Sequence, residues 1–190
     1  VGGDVPPGAS EGPRESGAAP RETGAATRAR GKIVIRKAGL DDAERVFELA
    51  RHFLEQTQYG EILTVNLQQL AHLVSRCLQV GVIFVAEAQR AAVLNGVTVQ
   101  HRPLIGMLAA FPLNDPISGK PFLDEIAWWV EPEHRRGTTG PKLLWAAEKW
   151  ARQKGLRLVK MVAPKETNVG RFYERMGYVE VETAYVKRLT

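Results

Sequence analysis

The chain has 190 residues, 44% hydrophobic and 25% charged, which is the balance of an ordinary globular protein with mass enough for one core. Its formal net charge is +5; residues 1–31 add nothing to it, because Asp4, Glu11, Glu15 and Glu22 offset Arg14, Arg21, Arg28 and Arg30, so the excess suits an anionic small molecule. The lone Cys77 excludes an internal disulfide and a cysteine-rich zinc site, the scattered His52, His72, His101 and His134 offer no metal-ligand spacing, and no apolar run approaches the ~18 residues of a membrane span or forms a signal-peptide core.

Residues 1–31 are Gly, Pro, Ala, Ser, Thr, Arg and Glu with almost no large apolar side chain. Such a stretch buries too little surface to offset its ordering entropy, so a disordered extension is expected ahead of a single domain over residues 32–190. KIVIRK, residues 32–37, reads as a first strand. Asp41 with Glu44 three residues on forms a capping-box pattern for a helix whose apolar stripe is Ala43, Val46, Phe47, Ala50, Phe53 and Leu54. A loop over 56–65, including Tyr59, is a candidate substrate wall. A second helix begins near Asn66 and turns Leu67, Leu70, Ala71, Val74, Cys77 and Leu78 inward, which makes Cys77 a packed and inert thiol.

VIFVAE, residues 82–87, is a second strand, and residues 103–111 a third. Between them the turn dipeptide Asn95-Gly96 interrupts an irregular stretch. Residues 124–130 form a fourth strand, rich in β-formers through Ile126, Trp128, Trp129 and Val130, and Pro132 stops it. After the helix ended by Gly155, LRLVKMVA at 156–163 is a fifth strand. A short helix with Phe172 and Tyr173 ends at Gly177, and residues 178–181 and 184–189 are expected to close the chain as strands. Strands alternating with helices late in the chain, and an antiparallel meander in its middle, imply a mixed α/β sheet covered by helices.

Between the fourth strand and the following helix lies Arg135-Arg136-Gly137-Thr138-Thr139-Gly140, with Leu143, Leu144, Ala147, Trp150 and Ala151 then recurring at helical spacing. Free N–H groups and the positive end of the helix dipole make such a loop an anion site, and its arginines add charge-assisted contacts to phosphate oxygens. The alternative is a basic surface connection. The spacing is neither a Walker loop nor a dinucleotide fingerprint. Nucleic acid is not expected as a partner, since no long Lys/Arg run or stacking-aromatic pattern is present.

Three blocks together resemble the GNAT N-acetyltransferase superfamily over about residues 33–189: the strand ending in Val130, Arg135-x-x-Thr138-x-Gly140 at a helix start, and Phe172-Tyr173-Glu174-Arg175-Met176-Gly177-Tyr178. The run from Asp124 to Arg135, DEIAWWVEPEHR, is similar to the prophage-type branch. Two positions depart from the family pattern: Thr138 replaces the first loop glycine, and Glu166 stands where an Asn contacts the pantetheine arm. The resemblance implies a sheet of six to seven strands with about four helices, splayed between the fourth and fifth strands. It implies acetyl-CoA as cofactor, with pantetheine along Trp129 and Val130 and the pyrophosphate on Arg135, Arg136, Gly137, Thr138, Thr139 and Gly140.

The implied reaction is direct transfer of acetyl to an amine. Tyr173 then matches the family's acid, with a pKa suited to protonating a thiolate and core packing as its alternative role. Asp124 or Glu125 is the base, directly or through water, or the two are solvated strand-end carboxylates. Strand alternation puts Asp124 on the face of Ile126, Trp128 and Val130, and Glu125 gains that face only through a bulge. A different acyl donor, an oxygen acceptor, or a catalytically silent acyl-CoA sensor are the competing readings. The resemblance also implies a homodimer as an option, and the lone cysteine fits a reducing, cytoplasmic setting.

Overall fold

Strand β2 (Val82–Leu94) and strand β4 (Leu104–Asn114) carry the central apolar runs of the sequence and form the middle of the sheet. The computed structural model describes residues 32–94, 97–165, 167–187 and 189. Around these two strands lie β1 (Lys32–Lys37), α1 (Ala43–Glu55), α2 (Gln58–Ile62), α3 (Leu67–Val80), β3 (Val97–His101), β5 (Pro121–Val130), α4 (Thr139–Gln153), β6 (Leu158–Lys160) and α5 (Val169–Arg175). The sheet order is β1-β2-β4-β5-β6, with β3 folded back on the far end of β2. All pairings are antiparallel except β5 with β6, which run parallel because α4 carries the chain back across the sheet.

Alternation along β2 divides the core in two. Ile83 and Val85 face α1 and α3, where Val46, Leu49, Phe53, Leu70, Val74 and Cys77 meet Met107 and Trp129. Val82, Phe84 and Ala86 face the other way, toward Leu123, Leu143, Leu144, Ala147 and Tyr173 of β5, α4 and α5. Because helices cover both faces, β4 is buried from Leu104 to Ala110 without a polar interruption. Cys77 lies in the first core, its thiol in long contacts of 3.6 Å with the carbonyls of Val82 and Ala110, and burial pushes its pKa up to about 11. That is the inert thiol expected.

The mixed sheet and its splay agree with the sequence reading, and several boundaries do not. The first helix is not capped by Asp41 and Glu44. A turn of 3-10 helix at Leu40–Asp42 precedes it, and Asp42 accepts from the Gly39 N–H at 2.8 Å while Arg36 grips both its oxygens. So engaged, Asp42 stands at the start of the first helix without a side-chain cap bond to it. Asn66 does cap α3, accepting from the N–H groups of Gln68 and Gln69, although Leu67 and Ala71 face outward. The stretch after residue 87 is a long hairpin, with Leu94 paired to Val97; its Asn95-Gly96 turn lies outside the described residues, as do residues 1–31 and Glu166.

Strands expected at 178–181 and 184–189 do not form over the described residues there. Val179, Val181, Tyr185 and Leu189 are each 80% or more exposed, so no covered face rewards their β-propensity. The strand expected at 156–163 shrinks to Leu158–Lys160, because its partner turns away beyond Asp124.

Candidate active site

The position of one extra residue decides which carboxylate enters the interior. Along the β4–β5 ladder, Ala109 pairs with Ala127 and Ala110 pairs with Glu125, so Ile126 has no partner and forms a bulge. The bulge puts Glu125 on the side of Trp128 and Val130, against α4 and α5. Asp124, which unbroken alternation would place there, instead sits at the last rung with β6, opposite Lys160. The two neighbours then have different chemistry. Glu125 is 6% exposed, and burial pushes its carboxyl up to about 7, against a hydrogen bond from Val162 that favours the charge. Asp124 is raised more modestly by partial burial, with Lys160 pulling the other way.

Beyond Asp124 and Lys160 the two parallel strands separate, and the ladder bonds stop. Backbone groups freed there still need partners. Side chains supply them at Val162: its N–H donates to Glu125 Oε2 at 2.9 Å, and its carbonyl accepts from Tyr173 Oη at 3.1 Å. The backbone of one residue thus holds both a carboxylate and a phenol. Burial, with the nearby charge of Glu125 second, raises the Tyr173 pKa far above that of a free phenol. The Tyr173 hydroxyl thus favours its protonated form, directed at the Val162 carbonyl.

A cavity of about 410 Å³ fills the gap. Glu125, Ile126, Trp128, Trp129 and Val130 of β5 form one wall, and Val162, Pro164, Thr167, Val169, Phe172 and Tyr173 form another. Phe53, Gln56, Thr57 and Tyr59, from the end of α1 and from α2, close one end, while Arg135, Gly137, Gly140 and Pro141 border the other. Trp128 stacks on Tyr173 with centroids 5.7 Å apart and leans on Phe172 at 5.9 Å. Its indole N–H is buried and has no partner among the described residues. Trp129 is fixed from behind: its N–H donates to Glu131, which also binds Arg45 and His52 at 3.0 Å each. Burial works against the Glu131 charge, yet these partners hold its pKa below the usual carboxylate range.

The loop before α4 has the features of an anion cradle. Helix α4 starts at Thr139, inside the motif, and the N–H groups of Thr138, Thr139 and Gly140 find no acceptor among the described residues. A Cβ at Gly137 would meet nothing within 4 Å, whereas one at Gly140 would lie 3.0 Å from Trp128 Cζ2. Gly140 therefore lets the helix start press against the indole. Arg135 does not reach outward. Its Nε donates to the Val130 carbonyl at 2.8 Å, and its guanidinium lies 4.2 Å over the Trp129 ring.

Of the site residues read from sequence, the structure gathers Glu125, Trp129, Val130, Arg135, Gly137, Gly140 and Tyr173 around one cavity. Arg136 and Thr138 are exposed on the loop and Thr139 is buried beneath it. Asp124 lies outside the lining. The sequence reading missed Val162 and Phe172. Val162 acts through its backbone, which leaves no residue-type signal, but Phe172 is flagged by adjacency to Tyr173. No helix among the described residues is long and apolar enough to cross a membrane.

The family model described as "Acetyltransferase (GNAT) family" matches residues 66–178. No curated protein matches the sequence. Among solved structures, the chain is similar to the aminoglycoside N-acetyltransferase AAC(6')-Iy in complex with CoA, at TM-score 0.63 and 19% identity over 85% of this chain and 97% of that one. It is also similar to the aminoglycoside acetyltransferase meta-AAC0020 from an uncultured soil metagenomic sample, at TM-score 0.59 and 20% identity over 83% and 97%. A third likeness is to the ribosomal-protein-alanine N-acetyltransferase from Brucella melitensis biovar Abortus 2308, at TM-score 0.55 and 18% identity over 83% and 100%. At such identities the likeness is one of fold.

Proposed function

Since the chain belongs to the acetyltransferase (GNAT) family, we propose that it transfers an acetyl group from acetyl-CoA to a primary amine, with Glu125 as base and Tyr173 as proton donor. The observation that carries this reading is that Glu125 and Tyr173 bind the N–H and the carbonyl of the same residue, Val162, at the mouth of the splayed strands. The cofactor fits the residues present. The unpartnered N–H groups at the start of α4 and the open Gly137 suit a pyrophosphate, and the orphaned Trp128 indole N–H awaits an acceptor. Arg135, Arg136, Gly137, Thr138, Thr139 and Gly140 would hold the phosphates, and the Trp129–Val130 backbone the pantetheine arm.

When bound, acetyl-CoA supplies an acyl carbon with a thiolate leaving group. Glu125, with a pKa near 7, takes the proton of an incoming ammonium and leaves a neutral, nucleophilic amine. Tyr173 holds its proton at Oη for the departing sulfur. Trp128 and Phe172 keep water from both groups, which strengthens the proton transfers. The catalytic domain is placed at residues 32–190, with residues 1–31 as an extension on composition alone. The DEIAWWVEPEHR run supports the prophage-type branch, and the unpaired, buried Cys77 a cytoplasmic setting.

One observation favours a second reading, a silent acyl-CoA-binding module: Arg135 covers the Val130 carbonyl that pantetheine would use. Release of CoA thiol from acetyl-CoA with a panel of amines decides between them. Turnover that vanishes in Glu125→Gln supports the enzyme. Tight acetyl-CoA binding with no turnover of any amine supports the module.

A further inference from the structure

The end of the cavity formed by α1 and α2 narrows the chemistry of the acceptor. Phe53 touches Tyr59 at 5.9 Å between centroids and meets Trp129 edge-on at 6.4 Å, so three rings form a continuous wall. Ile126, pushed out by its bulge and 37% exposed, adds a branched apolar edge. The Thr57 hydroxyl is turned away, donating to the Phe53 carbonyl. Among the described lining residues Glu125 is the one carboxylate and Arg135 the one cation. Asp124, next to Glu125 on β5, lies outside the lining opposite Lys160, and Glu131, just past the strand, lines no part of the cavity and is held by Arg45, His52 and Trp129.

We propose that the acceptor is a small monoamine, a primary amine on a compact aromatic body, with its ring on the Phe53–Tyr59–Trp129 wall and its nitrogen at Glu125. The proposal rests on the acetyltransferase reading and deepens it. The N–C bond forms as the thioester C–S bond breaks; one ammonium proton goes to Glu125, Tyr173 protonates the departing sulfur so that CoA leaves as thiol, and the second nitrogen proton, lost as the amide forms, restores Tyr173. An aromatic body gains ring contacts and loses no hydrogen bonds on entering. A polyamine sugar such as neamine brings several ammonium groups to one carboxylate and a guanidinium, and buried charges without partners are strongly disfavoured.

The test compares 2-phenylethylamine, n-butylamine, neamine and an Ala-led hexapeptide, by calorimetric binding to the full chain saturated with CoA and by thiol release from acetyl-CoA. The proposal expects 2-phenylethylamine to lead both measurements, with kcat/KM about 10-fold or more above the others, as apolar pockets discriminate. Tyr59→Ser should lower the phenylethylamine-to-butylamine ratio about 3- to 10-fold, a ratio that is independent of how much protein is folded. Ile126→Glu, which adds a second carboxylate, should raise the neamine-to-phenylethylamine ratio about 10-fold or more. Neamine, butylamine or the peptide in the lead would overturn this inference and leave the acetyltransferase reading standing. Failure of acetyl-CoA itself to bind would remove both, and binding without turnover of any amine would overturn the monoamine acceptor in favour of the silent module.

Discussion

Strand β5 has two ends made for different purposes. From Pro121 to Asp124 it is clamped on both sides, by β4 and by β6, and its carboxylate Asp124 lies beside Lys160. From Glu125 to Val130 it is clamped on one side alone, and the freed side faces the cavity. Two adjacent acids thus occupy two environments. The comparison teaches that the fold makes its reactive carboxylate by withdrawing a strand partner. Burial raises Glu125, the missing ladder leaves Val162 to steady it, and Asp124 anchors the closed end.

Exchanging the two carboxylates for amides probes this difference most strongly. Glu125→Gln should lower kcat/KM by about 10²- to 10⁴-fold, the usual worth of a positioned base, while Asp124→Asn should stay within about 3-fold under the same comparison. Equal losses in steady-state assays would show that both ends of the strand serve the reaction. Wild-type kcat/KM should also rise with pH through about 7 as Glu125 ionises, and that limb should be absent in Glu125→Gln.

Tyr173→Phe keeps the ring stack on Trp128 and removes the proton, so kcat should fall about 10²-fold with acetyl-CoA affinity nearly constant. A loss confined to affinity would move Tyr173 to a packing role. Arg135→Ala tests the open end from the loop side. If Arg135 swings to the phosphates, the variant should bind acetyl-CoA about 1.5–3 kcal/mol more weakly by calorimetry. Tighter binding would mean that its contact with the Val130 carbonyl obstructs the cofactor.

The smallest effect is on stability, and it has a definite sign. A carboxyl whose pKa is higher folded than unfolded binds more protons in the native state, so stability falls as pH rises between the two values. For Glu125 that window runs from about 4.5 to about 7, and the full difference is about 3 kcal/mol. Glu125→Gln should therefore melt at a higher temperature than wild type at pH 8, and the gap should close near pH 4. A gap of the same size at both pH values would contradict the buried charge.

The sequence carried the β5–loop–α4 unit clearly, because its signals are local: β-formers, a stopping proline, a glycine-bearing loop and a helical apolar stripe. Tyr173 was legible for the same reason, set in a short helix ended by Gly177 with its φ of 87°. The choice between Asp124 and Glu125 was not, since a bulge at Ile126 depends on the register with β4 and leaves no mark on composition. The exposed Val179 and Val181 misled in the opposite direction, offering β-propensity where no neighbouring strand stands among the described residues. The start of the first helix was hidden because Asp42 is engaged by Arg36 of β1 and by the Gly39 N–H, contacts that local spacing does not show.

The cavity wall also has an optical consequence. Of the four tryptophans in the chain, Trp128 and Trp129 line it, one stacked on Tyr173 and the other beneath the Arg135 guanidinium. A ligand that displaces Arg135 or meets the free Trp128 N–H changes the polarity around an indole, and with it the colour and yield of the emitted light. The protein therefore carries an intrinsic fluorescent reporter at the site, and Trp145, 49% exposed on α4, supplies a steady background against which occupancy can be followed without any label.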